Sequence, residues 1–551
     1  MAMRKTLVGA LALLGEDAVP SNGRVDIVIE GRTIREIRPH GVQPPEGTAI
    51  DMRGRLLTAG LVNGHHHSHE GYYKGRKDNL PLELWMNYVR PLKPIPLTAR
   101  EVYLRTMIGA LEAVHSGTTT LCDDTNVAPR INQEHVDAVF QAYEDIGIRA
   151  YVGPTLFDRP FFRAVPFVDE EFPQDLLAEL DGTPMFSSAD LLAFARRTAR
   201  EHHPSEKRVG YIAAPSAPQR CTEDFIKAVR RMADDMDLPL MMHVQETRMQ
   251  VVTGQLWHGS TMIEYLDRLG FMKPKTAFIH GVWLTPREIE ILARTGVSVQ
   301  HNPTSNLKVG SGLAPIRALI AGGVNVSMGT DGCGSIEGTD MQNALYLASL
   351  LHKLRGDYTS WVGASDAFRF ATMGGAKALG RGHELGAIET DRIADITGYR
   401  LHSLPFTPLN DPVHQLVCAA CRQDVDFVMV DGETILQNGK LTRVDEDKLL
   451  DEIAEAHARL APLISESEQD VDGCGDRENL LAAENGIAER DEAIGPENRD
   501  DRTPKHKPAE ERDDHAPVGG PDIMRNHKRQ ARQQAEEAGE VVQGFAGEEF
   551  A

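Results

Sequence analysis

Histidines and carboxylates stand where the chain pattern ends a strand. The run GLVNGHHHSHEG places His65 and His67 two residues apart. Residues two apart on an extended segment point to the same side, so both imidazoles can reach one point. MMHVQET carries His243 three residues before Glu246, FIHG carries His280, and GTDG carries Asp331. Imidazole nitrogens and a carboxylate are suitable ligands for Zn²⁺ and related divalent ions. A single strand-end histidine is ordinarily a satisfied hydrogen-bonding residue. Several of them, each ending a different strand, are better explained by one shared ion. His66 breaks the alternation and His69 lies outside the pair, so both are read as supporting, pocket or surface residues.

Eight apolar segments supply the strands: LLTAGLVNG, TTTLCDD, RAYVGPT, RVGYIAAP, LPLMMHV, KTAFIHG, VSVQHNP and VNVSMGTDG. Amphipathic stretches such as EVYLRTMIGALEAVHSG and TPREIEILARTG separate many of them. Alternating strand and helix predicts a parallel sheet, and eight repeats predict an α/β fold of the (β/α)₈ barrel type across residues 58–380. Active sites of such barrels lie at the C-terminal ends of the strands, where these side chains fall. The insertion DRPFFRAVPFVDEEFPQDLLAELDGTPMF is expected to cover one end.

Residues 1–57 read as β structure, with Val25, Ile27 and Ile29 alternating before a Gly31-Arg32 turn. The pattern returns in 381–445, where Phe427 and Met429 precede a turn at Gly432. Both ends are therefore expected to build one small β-sandwich. A helix is expected over 446–464, and an acidic, disordered tail over 465–551, which is rich in charge, Pro and Gly. The start, MAMRKTLVGALALLGED, has too short an apolar run for a membrane span and reads as a strand rather than a leader.

The chain has 551 residues and a formal charge of −22, which argues against a nucleic-acid surface, since that needs clustered Lys and Arg. Its 6 cysteines form no paired framework, so a reducing, cytoplasmic setting fits. No membrane association is expected.

The motifs quoted above, in their order and spacing, resemble the signatures of the amidohydrolase superfamily. The similarity is strongest to the cytosine deaminase-like branch, with S-adenosylhomocysteine and methylthioadenosine deaminases and triazine hydrolases. It runs from the N-terminal sheet to about Val444. The resemblance implies a distorted (β/α)₈ barrel with a β-sandwich from both termini, in a homo-oligomer, dimer or tetramer. It implies a divalent ion, zinc or alternatively ferrous iron, on His65, His67, His243 and Asp331. It implies catalytic roles for Glu246 as proton shuttle, His280 as orienting group and Asp331 as base. Trp85, in EGYYKGRKDNLPLELWMNYV, matches the segment that stacks on a heterocycle, and Asn306 follows strand seven as a second substrate contact.

Two departures matter. The bridging carboxylated Lys or Glu of binuclear members is missing from RVGYIAAPS, which implies one ion. Nucleoside-acting members read APHxPYTC after strand four, whereas this chain reads AAPSAPQRC, with Ser216 in place of the sugar-associated His. The expected substrate is therefore a compact amino-substituted heterocycle, hydrolysed with loss of ammonia. Hydrolysis of a cyclic or linear amide or of a carbon–halogen bond is the alternative. A non-catalytic scaffold would have been expected to lose some of these ligands.

Overall fold

The computed structural model describes residues 3–90, 95–126, 131–171, 174–182, 185–354 and 356–473. The barrel strands are β1 (Leu61–His66), β2 (Thr118–Thr125), β3 (Arg149–Pro154), β4 (Val209–Tyr211), β5 (Leu240–Val244), β6 (Thr276–His280), β7 (Ser298–His301) and β8 (Val326–Met328). Six fall inside the apolar segments, while β1 runs two residues past LLTAGLVNG to His66 and β2 one residue past TTTLCDD to Thr125. They are buried almost throughout, as strands covered on both faces must be.

β1 to β4 form one four-stranded sheet and β5 to β8 another, with every pairing between neighbours parallel. A parallel bridge from Ala213 to Leu240 joins β4 to β5. At the other seam, the Asp331 amide donates to the His65 carbonyl at 2.9 Å. Asn63 and Thr330 clasp across it: Asn63 Nδ2 donates to Thr330 Oγ1 at 2.8 Å, and the Thr330 amide donates to Asn63 Oδ1 at 3.0 Å. The ring is thus closed but irregular, and its two seams lie beside the ends of β1, β4, β5 and β8.

The segment LLTAGLVNG is two strands rather than one. Arg55–Ala59 belongs to the ten-stranded terminal sheet, pairing with Arg4–Leu14 on one side and Ile396–Arg400 on the other. Gly60 then redirects the chain into β1, where any Cβ would collide with Thr119. The terminal sheet thereby combines strands from both ends of the chain. Buried Arg149, at the start of β3, fixes this sheet to the barrel through Asp395 (3.1 Å) and Asp431 (2.6 Å).

The C-terminal helix runs from Glu446 to Gly473, past the expected end at 464. Leu460 and Ile464 pack on Tyr72. Beyond them Arg76 reaches Ser465 Oγ at 2.8 Å and both oxygens of Glu468 at 2.9 Å. These contacts hold the first part of the expected tail as helix. The rest of that tail lies outside the described residues. Among the described residues, no helix is long and apolar enough to cross a membrane.

Candidate active site

His65, His67 and His243 come together as the alternation implied. One ring nitrogen from each lies within 4.8 Å of the others, and a second group, one ring nitrogen each of His65 and His280 with a carboxylate oxygen of Asp331, is equally close. His65 Nε2 and His67 Nε2 both stand 3.5 Å from Asp331 Oδ1. His66 points away, its Nδ1 lying 3.2 Å from the Asp331 carbonyl. His69 Nδ1 accepts from the Asn126 amide at 3.1 Å.

The hydrogen bonds behind the cluster set the tautomers. His67 Nδ1 meets the Asp124 carbonyl at 2.6 Å and His243 Nδ1 meets the Ser216 carbonyl at 3.0 Å. A carbonyl can only accept, so each Nδ1 carries the proton and each Nε2 keeps its lone pair toward the centre. Burial pushes both imidazoles well below the ordinary histidine range and lowers His65 too. Neither ring nitrogen of His65 has a well-aligned partner although both are buried, and orphaned buried polar atoms are unusual in native structures. Neutral imidazoles with inward lone pairs beside a carboxylate suit a divalent ion. Burial alone would raise the Asp331 carboxyl. The close approach of His65, 3.5 Å away, and the charges of His67 and His280 outweigh burial and hold it well below the carboxylate range.

Opposite the cluster, His280 Nε2 lies 3.4 Å from Glu246 Oε1 and 3.8 Å from Asp331 Oδ2. Its Nδ1 is 2.8 Å from Asn306 Oδ1. Burial pushes the Glu246 carboxyl up to about 7. Gln245, His280 and Asp331 all adopt positive φ, at 55°, 73° and 81°. A non-glycine residue there costs about 1–3 kcal/mol, and such strain collects where side chains must be aimed.

The cavity over this cluster is walled by Trp85, Met86, Phe161 and Val309, with polar lining from Glu70, Arg90, Arg220, Glu246 and Ser335. Trp85 serves as both core and wall, since it also packs on Met86, Val89 and Val309. Phe161 and Ala164 bring the insertion after β3 over the mouth, as expected. Asn306 does not line this cavity; it stands behind His280, because the short helix Pro303–Lys308 turns it inward. A larger cavity of about 790 Å³, between Ala99–His115 and the C-terminal helix, holds neither metal-competent group. Size alone does not locate the site.

Sequence reasoning passed over Asp124, Glu70 and Arg220. Asp124 Oδ2 lies 3.7 Å from His243 Nδ1, and burial pushes this carboxyl up to about 7. It ends TTTLCDD, so the strand-end criterion applied to β2 would have found it. Glu70 accepts from the Gly334 amide at 3.1 Å; only the folded loop brings it to the pocket.

A barrel with metal-competent side chains at the C-terminal ends of its strands defines the class. A model of the amidohydrolase family matches residues 56–435, and the chain belongs to that family. It is 33% identical over 453 residues to a 5′-deoxyadenosine deaminase of Methanothermobacter thermautotrophicus, covering 82% of this chain and 98% of that one. It is 33% identical over 416 residues to a 5-methylthioadenosine/S-adenosylhomocysteine deaminase of Thermococcus kodakarensis, covering 75% of this chain and 90% of the relative. A solved adenosine deaminase from Xanthomonas campestris, with bound zinc, superposes with a TM-score of 0.74 at 27% identity, covering 84% of this chain and 99% of its own.

Proposed function

We propose that this chain is a mononuclear metal-dependent aminohydrolase that removes ammonia from an amino-substituted heterocycle. The observation that carries the reading is a pair of metal-competent clusters sharing His65, one with His67 and His243 and the other with His280 and Asp331, with Glu246 beside His280. A divalent ion held by His65, His67, His243 and Asp331, zinc or alternatively ferrous iron, would lower the pKa of a water from about 16 toward 7.

The chain's own groups do the rest. Asp331, kept ionised by its histidine neighbours, takes the proton from the attacking water. Glu246, with a carboxyl near 7, donates to the ring nitrogen and then carries a proton to the departing amine. His280 is held through Asn306 and orients the nucleophile. Trp85 and Phe161 offer apolar faces to a flat ring and exclude water.

Both curated relatives named above act on adenosine derivatives. Ser216 stands where a sugar-associated histidine is expected, and its Oγ accepts from Arg220 at 3.1 Å, so we favour a heterocycle without ribose. Ammonia release should be measured across purines, pyrimidines, pterins and triazines, with 5′-deoxyadenosine beside them. Release from free heterocycles at higher kcat/KM than from 5′-deoxyadenosine supports the reading. No ammonia from any of them contradicts it, and chloride release from chlorinated triazines alone would favour carbon–halogen hydrolysis.

We also assign the chain to the cytoplasm as a homo-oligomer. The described cysteines are all unpaired, and Tyr346, Leu350, Leu354, Tyr358 and Trp361 expose apolar surface suited to self-association. Light scattering that gives a monomer mass would refute the oligomer.

A further inference from the structure

We propose that Arg220 binds an anionic oxygen of the substrate, so that the heterocycle carries a carboxylate or an ionised ring oxygen at the end away from the reacting amine. The proposal rests on the aminohydrolase reading above and names the substrate class for the same site.

Arg220 lines the active-site cavity and is almost wholly buried. Burial costs a cation several kcal/mol unless it is paired, yet among the described residues no carboxylate lies within ion-pair distance of this guanidinium. Its Nη1 donates to Ser216 Oγ at 3.1 Å and its Nη2 to Met86 Sδ at 3.4 Å. A hydroxyl and a thioether are neutral acceptors, and the second is weak. Nε is buried with no partner. The guanidinium also sits 4.5 Å above the ring of Phe161, which orients the fork but satisfies none of its N–H groups.

A five-donor fork left with two neutral acceptors inside a binding cavity is poised for a bidentate oxygen ligand. Its location relates it to the chemistry. Gln250 Oε1 accepts from the Glu246 amide at 2.7 Å, and Gln250 Nε2 donates to Gln219 Oε1 at 3.4 Å, next to Arg220 in the chain. The anion site is thus tied to the proton shuttle through two glutamines, Gln250 and Gln219, so a ring held by Arg220 has a defined position relative to Glu246. The replacement of the sugar-associated histidine by Ser216 fits the same picture, because the smaller side chain leaves room for the fork and supplies one of its acceptors.

The experiment uses the metal-loaded full chain and two probes of similar shape that differ in charge, benzoate and benzamide. Binding is measured by calorimetry for wild type, Arg220→Gln and Arg220→Lys, with metal content and Tm recorded for each. Wild type should prefer benzoate by at least about tenfold, the scale of one charge-assisted hydrogen bond. Arg220→Gln should lose about 10- to 100-fold in benzoate affinity while benzamide changes little. Arg220→Lys, which keeps the charge but not the fork, should fall between, and it carries the test if the Gln variant fails to fold. Equal affinity for the two probes, or wild-type benzoate affinity in Arg220→Gln at full metal content, overturns the proposal. Ammonia release is scored separately. Anion selectivity without ammonia would sink the aminohydrolase reading and leave Arg220 standing, and the converse would do the opposite.

Discussion

Glu246→Gln keeps the shape of the side chain and removes its ability to exchange a proton. Glu246 is buried, and its carboxyl is pushed up to about 7 by that burial. Burial thus makes this carboxyl give up its proton less readily than a free one, which suits it to give as well as to take a proton. General acid–base groups contribute about 10²–10⁴-fold, so kcat should fall by that factor, equivalent to about 3–5 kcal/mol of barrier. Metal content should stay near wild type, because Glu246 is not in either metal-competent group.

The same shift has a stability consequence in chelated, metal-free protein. An acid whose folded pKa is raised makes the fold lose stability as pH climbs from the unfolded value, about 4.3, to the folded value, and the loss is complete above that. With the folded value near 7, wild type should lose up to about 4 kcal/mol over that window through this group, and the Gln variant should not. Denaturation at pH 5 and pH 8.5 reads the difference, and single-turnover ammonia release reads the chemistry. Retention of more than about a third of wild-type kcat where chemistry limits the rate would refute the shuttle role. A pH dependence of stability identical in both proteins would refute the buried-acid argument.

Arg149→Met should destabilise the fold by about 3–5 kcal/mol, since it strands buried Asp395; a denaturant midpoint within error of wild type would show that the sheet and the barrel are held together by other contacts. Truncation after Gly473 should leave Tm and kcat intact. Truncation after Ile464 should lower Tm by removing the Arg76 contacts to Ser465 and Glu468, and equal melting of the two would show those contacts to be dispensable. Trp85→Ala should raise KM more than it lowers kcat, because the ring walls the cavity and touches no reacting group; an unchanged KM would make Trp85 a core residue only.

Much of this was legible because the relevant rules are local. The period-two geometry of a strand put His65 and His67 on one side and His66 on the other, and the strand-end criterion selected His243, His280 and Asp331. Those rules hold wherever a parallel strand is buried on both faces, as all eight are here. What escaped depends on the folded chain. The division at Gly60 required a partner strand 340 residues away, Leu56 pairing with Tyr399 and Ala59 with Ile396. The positive φ of His280 and Asp331 leaves no mark on composition. Asn306 was expected against substrate because it follows a strand end, but one helical turn carried it behind His280. The helix past 464 looked like tail because its sequence is polar; Arg76, far away in sequence, supplies its partners. Arg220 lay in a motif already singled out for its serine, and only burial without an ion-pair contact among the described residues reveals it.

The central claim is that one divalent ion on His65, His67, His243 and Asp331 is required for ammonia release. Elemental analysis of the purified protein, paired with ammonia assays on the same sample before and after chelation and for His243→Ala, tests it directly. The account predicts one ion per chain, activity that falls with the ion and returns on adding zinc, and a His243→Ala protein that folds but holds little metal. Two ions per active chain, or full activity in metal-free protein, would contradict it.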